Sequence, residues 1–118
     1  MADAPDDLDR VLGALANQHR REIVRMLAFH PHSISQLAHR RGLSLPAINK
    51  HVAVLERAGL VKRRKTGRTT FLALGRTPIL ELQAWLGEFN AYWGSEAESL
   101  ANYEAFLAKD PGSTREKA

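Results

Sequence analysis

A mainly α-helical domain carrying one small β-hairpin is the fold class that this sequence predicts, on three observations. Apolar residues recur every three or four positions over most of the chain, the recurrence gives way to alternation only between Gly59 and Leu74, and residues suited to start or stop a helix bracket each helical stretch. Five or six helices are expected. With 118 residues, 44% of them hydrophobic and 25% charged, the chain has the size and composition of one core. Residues 8–108 are read as a single domain, and residues 1–7 and 109–118 as termini without fixed structure.

Leu8, Val11, Leu12 and Leu15 form the first apolar stripe, after Asp6 or Asp7 as cap. Asn17 offers a second N-cap, and Ile23, Val24, Leu27 and Ala28 continue to a stop near His30 and Pro31. Ser33 followed by Gln36 matches a capping box and opens the short helix ISQLAHRR, which Gly42 ends. Ser44 caps the next helix, where Pro46 is tolerated because the first turn has no internal donor bond to lose. Ile48, Val52 and Leu55 share one face of it, and Gly59 stops it. Leu60 to Arg64 and Thr69 to Leu74 then read as antiparallel strands joined around Gly67. Thr77 and Pro78 are taken as cap and first-turn proline of a long terminal helix, with a kink at Gly94 and Ser95.

Charge is divided unevenly. Up to residue 80 there are fourteen basic and six acidic residues, a net of +8, whereas the remainder holds three basic and seven acidic residues, a net of −4. A basic body points to a polyanionic partner for that part of the chain. No run of apolar residues is long enough for a membrane span, and the start, MADAPDDLDR, is acidic where a signal peptide would be basic, so a cytoplasmic protein without a membrane partner is expected. The absence of cysteine excludes disulfides, thiolate metal sites and a cysteine nucleophile. Glu81, Glu88, Glu96 and Glu98 are spaced as a solvated face, Ser33, Ser35 and Ser44 serve at or near caps, and no phosphate loop, nucleophile elbow or HExxH occurs. An enzyme is therefore not expected.

Two short helices joined by RRGLS and followed at once by a basic hairpin have the order of a winged helix-turn-helix. The major groove of B-DNA admits one α-helix, so a helix packed on its domain through one face presents the other to base edges. With Ile48, Val52 and Leu55 inward, Pro46, Asn49, Lys50, Ala53 and Arg57 point outward, and Ala47 and Val54 lie to one side. Asn49 suits adenine, and Lys50 suits guanine or phosphate. Arg63, Arg64, Lys65 and Arg68 are the candidate phosphate contacts, with the hairpin tip placed at Lys65 to Arg68. An amphipathic helix with one Asn and one Lys outside is common on any surface, and a basic hairpin is often only a soluble edge; their uninterrupted order is what favours DNA. A winged-helix module for protein contacts, without sequence-specific DNA binding, is the alternative.

The segments LGALANQHRREIVRMLA and SISQLAHRRGLSLPAINKHVAVLERAGLVKRRKTGRTTFLAL resemble the ArsR-type (ArsR/SmtB) family of bacterial winged-helix repressors, from about Leu8 to Trp93. The most specific part lies around Ser44, Pro46, Ala47, Lys50 and His51 and in LERAGLV. The resemblance implies a homodimer on a partly palindromic double-stranded DNA operator, released by an inducer. It also suggests a phosphate or base contact for His51, whereas the helical wheel equally places that ring at the margin of the buried face. Leu45 and Asn49 depart from the residues such proteins often carry, so the operator sequence cannot be borrowed from relatives.

Trp85, Phe89, Tyr92 and Trp93 put large aromatic area on the terminal helix, and a single helix from Pro78 to Leu107 would be roughly 45 Å long, more than one small body covers. Together with Leu8 and Leu12 of the first helix it is the expected dimer surface. Metal sensing, found among the relatives, is not expected. SISQLAHRRG holds no cysteine, no histidine follows His51, and His30, His32 and His39 lack a paired carboxylate. No metal and no cofactor are expected. A small apolar or aromatic effector between the terminal helices and repression set only by protein level are both open.

Overall fold

The structure is a computed structural model and describes residues 7–93 and 96–109. In order they form α1 (Asp7–Leu15), α2 (Gln18–Phe29), β1 (His32–Ser33), α3 (Ile34–Arg41), α4 (Leu45–Arg57), β2 (Val61–Thr66), β3 (Thr69–Leu74), α5 (Arg76–Trp93) and α6 (Glu96–Lys109). The expected unstructured termini lie outside the described residues, apart from Asp7 and Lys109, which belong to α1 and α6.

Local chemistry sets most boundaries. The Asn17 side chain accepts from the Arg20 amide at 3.2 Å and so starts α2. Ser33 and Gln36 form the full capping box of α3: the serine oxygen accepts from the Gln36 amide at 3.1 Å, and Gln36 Oε1 accepts from the Ser33 amide at 2.9 Å. Gly42 and Gly59 follow α3 and α4 with positive φ. Between β2 and β3 only Gly67 and Arg68 remain, and a φ of 61° at Gly67 suits the tight turn.

Four expectations are corrected. The hairpin is part of a three-stranded antiparallel sheet in the order β1-β3-β2, because His32 pairs with Leu72 and Ser33 with Phe71. Strand β2 starts at Val61 and reaches Thr66, so Leu60 is outside it and Lys65 belongs to the strand, paired with Thr70. Helix α5 opens at Arg76, which puts Thr77 inside the first turn beside Pro78 instead of at the cap. In place of one helix from Pro78 to Leu107 there are two, α5 and α6; the expected kink at Gly94 and Ser95 lies outside the described residues.

Two compact units are present, one up to Leu82 and one from Gln83. The core of the first joins Val11 and Ala14 of α1, Ile23 and Leu27 of α2, Leu37 and Ala38 of α3, Ile48, Val52 and Leu55 of α4, and Leu60, Val61 and Leu72 at the sheet. Each fully buried large aliphatic side chain contributes about 1.5–3 kcal/mol relative to exposure. The core face of α1 is therefore Val11 and Ala14, with Leu8 and Leu15 half-buried and Leu12 turned outward. Ile79 and Leu82 at the start of α5 pack on the same core. Gly75 anchors this junction: its amide donates to Leu60 O at 2.8 Å, and a Cβ there would run into Gly59 O. In the second unit Trp85 and Phe89 meet edge to face, with ring centroids 5.1 Å apart.

Candidate nucleic-acid interface

Helix α4 is anchored by complete burial of Ile48, Val52 and Leu55. That anchoring fixes the opposite face: Pro46, Asn49, Lys50 and Arg57 are exposed, while Ala47, Ala53 and Val54 are half-buried. The outward direction read from the wheel matches the exposure of Pro46, Asn49, Lys50 and Arg57, whereas Ala53, also expected outward, is half-buried. Ser44 is exposed and its hydroxyl oxygen accepts from the Ala47 amide at 3.2 Å, so it holds the first turn in place. Asn49 and Lys50 are exposed, and Leu45 at the start of the helix is exposed as well.

The wing is built differently. In β2 only Val61 is buried, and Lys62, Arg63, Arg64, Lys65 and Thr66 are all exposed, as are Gly67 and Arg68 of the turn. Side chains alternate along the strand, so Arg63 and Lys65 share the side of Val61, and Lys62 and Arg64 point the other way. Sequence reasoning missed one contact here. Arg63 makes a two-pronged bond to Glu56 of α4, with Nη2 to Oε1 at 2.8 Å and Nε to Oε2 at 3.2 Å. The bond to Glu56 raises the Arg63 pKa above its ordinary value against an opposing effect of burial. This pair ties the wing to α4 and engages the charge of Arg63, leaving Lys62, Arg64, Lys65 and Arg68 as the wing cations without a described carboxylate partner. Seven residues separate Glu56 from Arg63, a spacing that signals nothing within one helix, so only the fold reveals the pair.

His51 sits at the margin of the buried face and is half-buried. Its Nδ1 accepts from Arg20 Nη1 at 3.4 Å, and its ring lies 5.6 Å from that of His19. Burial, then Arg20, then His19, lower its pKa from the ordinary value of 6.5. Arg20 in turn donates from Nε to Ala14 O at 2.6 Å and from Nη2 to Gly13 O at 3.3 Å, gathering the C-terminal carbonyls of α1. The residues expected at the dimer surface fall into two groups. Leu12 is 40% exposed and Leu8 is half-buried, and Trp85 and Phe89 are half-buried within their own unit. The side chains of Tyr92 and Trp93 lie outside those described.

Comparison with known proteins adds to this geometry. Residues 15–64 match a helix-turn-helix domain family, a span that contains α2, β1, α3, α4 and the first half of β2. Over 69 residues the chain is 39% identical to the transcriptional activator HlyU of Vibrio cholerae, covering 58% of this chain and 64% of HlyU, so just under two thirds of that relative's length is spanned. Identity to the HTH-type transcriptional regulator Rv2034 of Mycobacterium tuberculosis is 37% over 81 residues, 69% of this chain and 76% of the relative. The crystal structure of an ArsR family transcriptional regulator, RHA00566, superposes with a TM-score of 0.69 at 33% identity, covering 81% of this chain and 99% of that one. The chain belongs to the ArsR family of transcriptional regulators. A protein-contact module without DNA binding is not what this family membership supports, and the ArsR-type winged helix-turn-helix is the fold of the chain. The same fold, at a TM-score of 0.60 and 22% identity over 81% of this chain and 97% of the other, is found in a winged helix-turn-helix DNA-binding domain from Mycobacterium bovis described as homodimeric. Among the described residues of this ArsR-family chain no helix is long and apolar enough to cross a membrane.

Proposed function

We propose that this ArsR-family chain is a homodimeric repressor that covers a partly palindromic operator and excludes RNA polymerase. The observation that carries this reading is the junction of α4 and the wing: a helix locked by three fully buried side chains, exposing Asn49 and Lys50, runs directly into a strand with a row of exposed cations. In the major groove the exposed face of α4, opened by Ser44, Pro46 and Ala47, reads base edges, with Asn49 on adenine and Lys50 on guanine or phosphate. Arg64, Lys65 and Arg68 neutralise phosphates and release counterions, and Arg63, with Nε and Nη2 engaged by Glu56, has Nη1 left to join them. Phosphate contacts position the protein and base contacts specify the sequence.

Pairing of two chains is supported by exposed Leu12 and, in the second unit, by exposed Leu86, Leu100, Tyr103 and Phe106. The homodimeric state of the Mycobacterium bovis domain supports it too. A two-fold dimer presents two copies of α4 to successive major grooves, about 34–36 Å apart. For a small effector there is an open groove of about 500 Å³ lined by Arg10, Gly13, Ala14, Val54, Arg57 and Ala58. Since HlyU is named an activator, activation is the second reading, with the same DNA contacts and the opposite effect on polymerase.

The test is fluorescence anisotropy of the purified protein on DNA from its own upstream region and on a scrambled duplex, at two salt concentrations. A preference for upstream DNA that survives higher salt and saturates at two chains per duplex supports the dimeric regulator. Equal, salt-labile binding to both duplexes contradicts sequence-specific recognition.

A further inference from the structure

Arg10, Arg25 and Arg63 each have a carboxylate partner, in Asp7, Glu22 and Glu56. Where α2, α3 and α4 meet, the arrangement is different. Arg41, the last residue of α3, donates from Nε and Nη2 to His19 Nδ1 at 3.2 and 3.0 Å. Arg20 donates to His51 Nδ1, and the two imidazoles lie 5.6 Å apart, tilted by 33°. All four side chains are half-buried. Among the described residues the groups facing His51 are Arg20 and His19 from α2, with Arg41 of α3 behind His19; α1 supplies only the carbonyls of Gly13 and Ala14, which Arg20 caps, and α4 itself supplies Lys50 as sequence neighbour. Among the described residues no carboxylate is bonded to the four side chains.

Two permanently charged guanidiniums are therefore held by imidazoles, which accept a bond only while Nδ1 is unprotonated. A staple between helices does not need this combination, since a carboxylate in either histidine's place would bind a guanidinium more strongly. The group instead gathers positive charge and donors with no negative charge of its own. Its member on α4, His51, lies one residue from exposed Lys50, at the flank of the exposed face of that helix.

We propose that His19, Arg20, Arg41 and His51 form a binding site for a DNA backbone phosphate at the edge of the groove entered by α4, and that filling it places a proton on His51. The proposal rests on the DNA-binding reading above and adds a contact and a linkage to it. In the free protein burial, and after it the neighbouring Arg20 and His19, oppose protonation of His51. A phosphate beside the ring supplies negative charge and offsets the contribution of Arg20 and His19 to that opposition. His51, once protonated, no longer accepts from Arg20, and both groups then donate to the phosphate oxygens. DNA binding takes up protons, so affinity rises as pH falls, with an upper limit of about tenfold per pH unit for each proton taken up.

The test is the anisotropy titration of full-length protein on its upstream duplex at pH 7.5 and pH 6.0 at constant ionic strength, with circular dichroism confirming the fold of each variant. The unmodified protein is expected to bind about three-fold tighter or more at pH 6.0. His51→Gln, whose amide oxygen still accepts from Arg20, should bind with no dependence on pH. Arg41→Gln should bind more weakly at both pH values, and Arg68→Gln on the wing should weaken binding while keeping the full pH dependence. Sequence-selective binding that is flat in pH, or a pH dependence retained in His51→Gln, overturns this proposal alone. Failure of the unmodified protein to bind any duplex overturns the DNA-binding reading beneath it as well.

Discussion

Helix α4 buries three apolar side chains of one face completely, Ile48, Val52 and Leu55, whereas strand β2 buries Val61 and leaves its next five residues exposed. The two elements adjoin in the chain and serve one interface in the proposed function, yet they are held by unlike forces. The helix is positioned by packing, which fixes its exposed face to within the tolerance of a close-packed core. The wing is positioned by pairing to β3 and by the Arg63–Glu56 bond, and its side chains beyond Val61 stand in water. Rigid placement suits the reading of base edges, which needs bidentate geometry. Long exposed cations suit phosphates, which reward proximity of charge more than exact placement. Shape is thus concentrated in one element and charge in the other.

This contrast can be broken most severely through the core. Leu55→Ala should destabilise the fold by about 2–5 kcal/mol, because a cavity remains where a fully buried side chain was, and urea unfolding would show the loss directly. A loss under 1 kcal/mol would mean that α4 is not anchored as described. Ser44→Ala removes the oxygen that accepts from the Ala47 amide and should cost about 1 kcal/mol by the same measurement. Arg64→Ala, in the wing, should change stability by less than about 0.5 kcal/mol while weakening DNA binding. The smallest expected effect is on acid stability. The folded-state pKa of His51 lies below the unfolded value near 6.5, so its contribution is present above that pH and is lost as pH falls toward the lowered folded pKa. Urea midpoints should accordingly fall below pH 6.5 less steeply in His51→Gln than in the unmodified protein; equal slopes would remove His51 from the account of acid sensitivity.

What could be read from the sequence follows the same division. Caps at Asn17, Ser33 and Ser44, the stops after α3 and α4 and the buried triad of α4 are local or periodic, and each is visible in a window of a few residues. Strand β1 was not legible, since two residues carry no periodicity and His32 and Ser33 become a strand only by pairing with Leu72 and Phe71. The start of α5 was misplaced because Thr-Pro is a good cap signal, whereas the helix already opens at Arg76. The interface charges were legible as a set but not in their pairings. Glu56 engaging Arg63, and Arg20 and Arg41 engaging histidines 31 and 22 residues away, depend on how helices converge.

The most direct measurement of the division of labour compares Asn49→Ala with Arg68→Ala on the upstream and scrambled duplexes over a range of salt. Asn49→Ala should lose on the order of 1–3 kcal/mol on the upstream duplex and little on the scrambled one, with an unchanged salt slope. Arg68→Ala should weaken both duplexes alike and reduce the salt slope by about one phosphate contact per chain. If the two variants lose affinity equally on both duplexes with the same change in slope, the claim that α4 reads and the wing holds is contradicted.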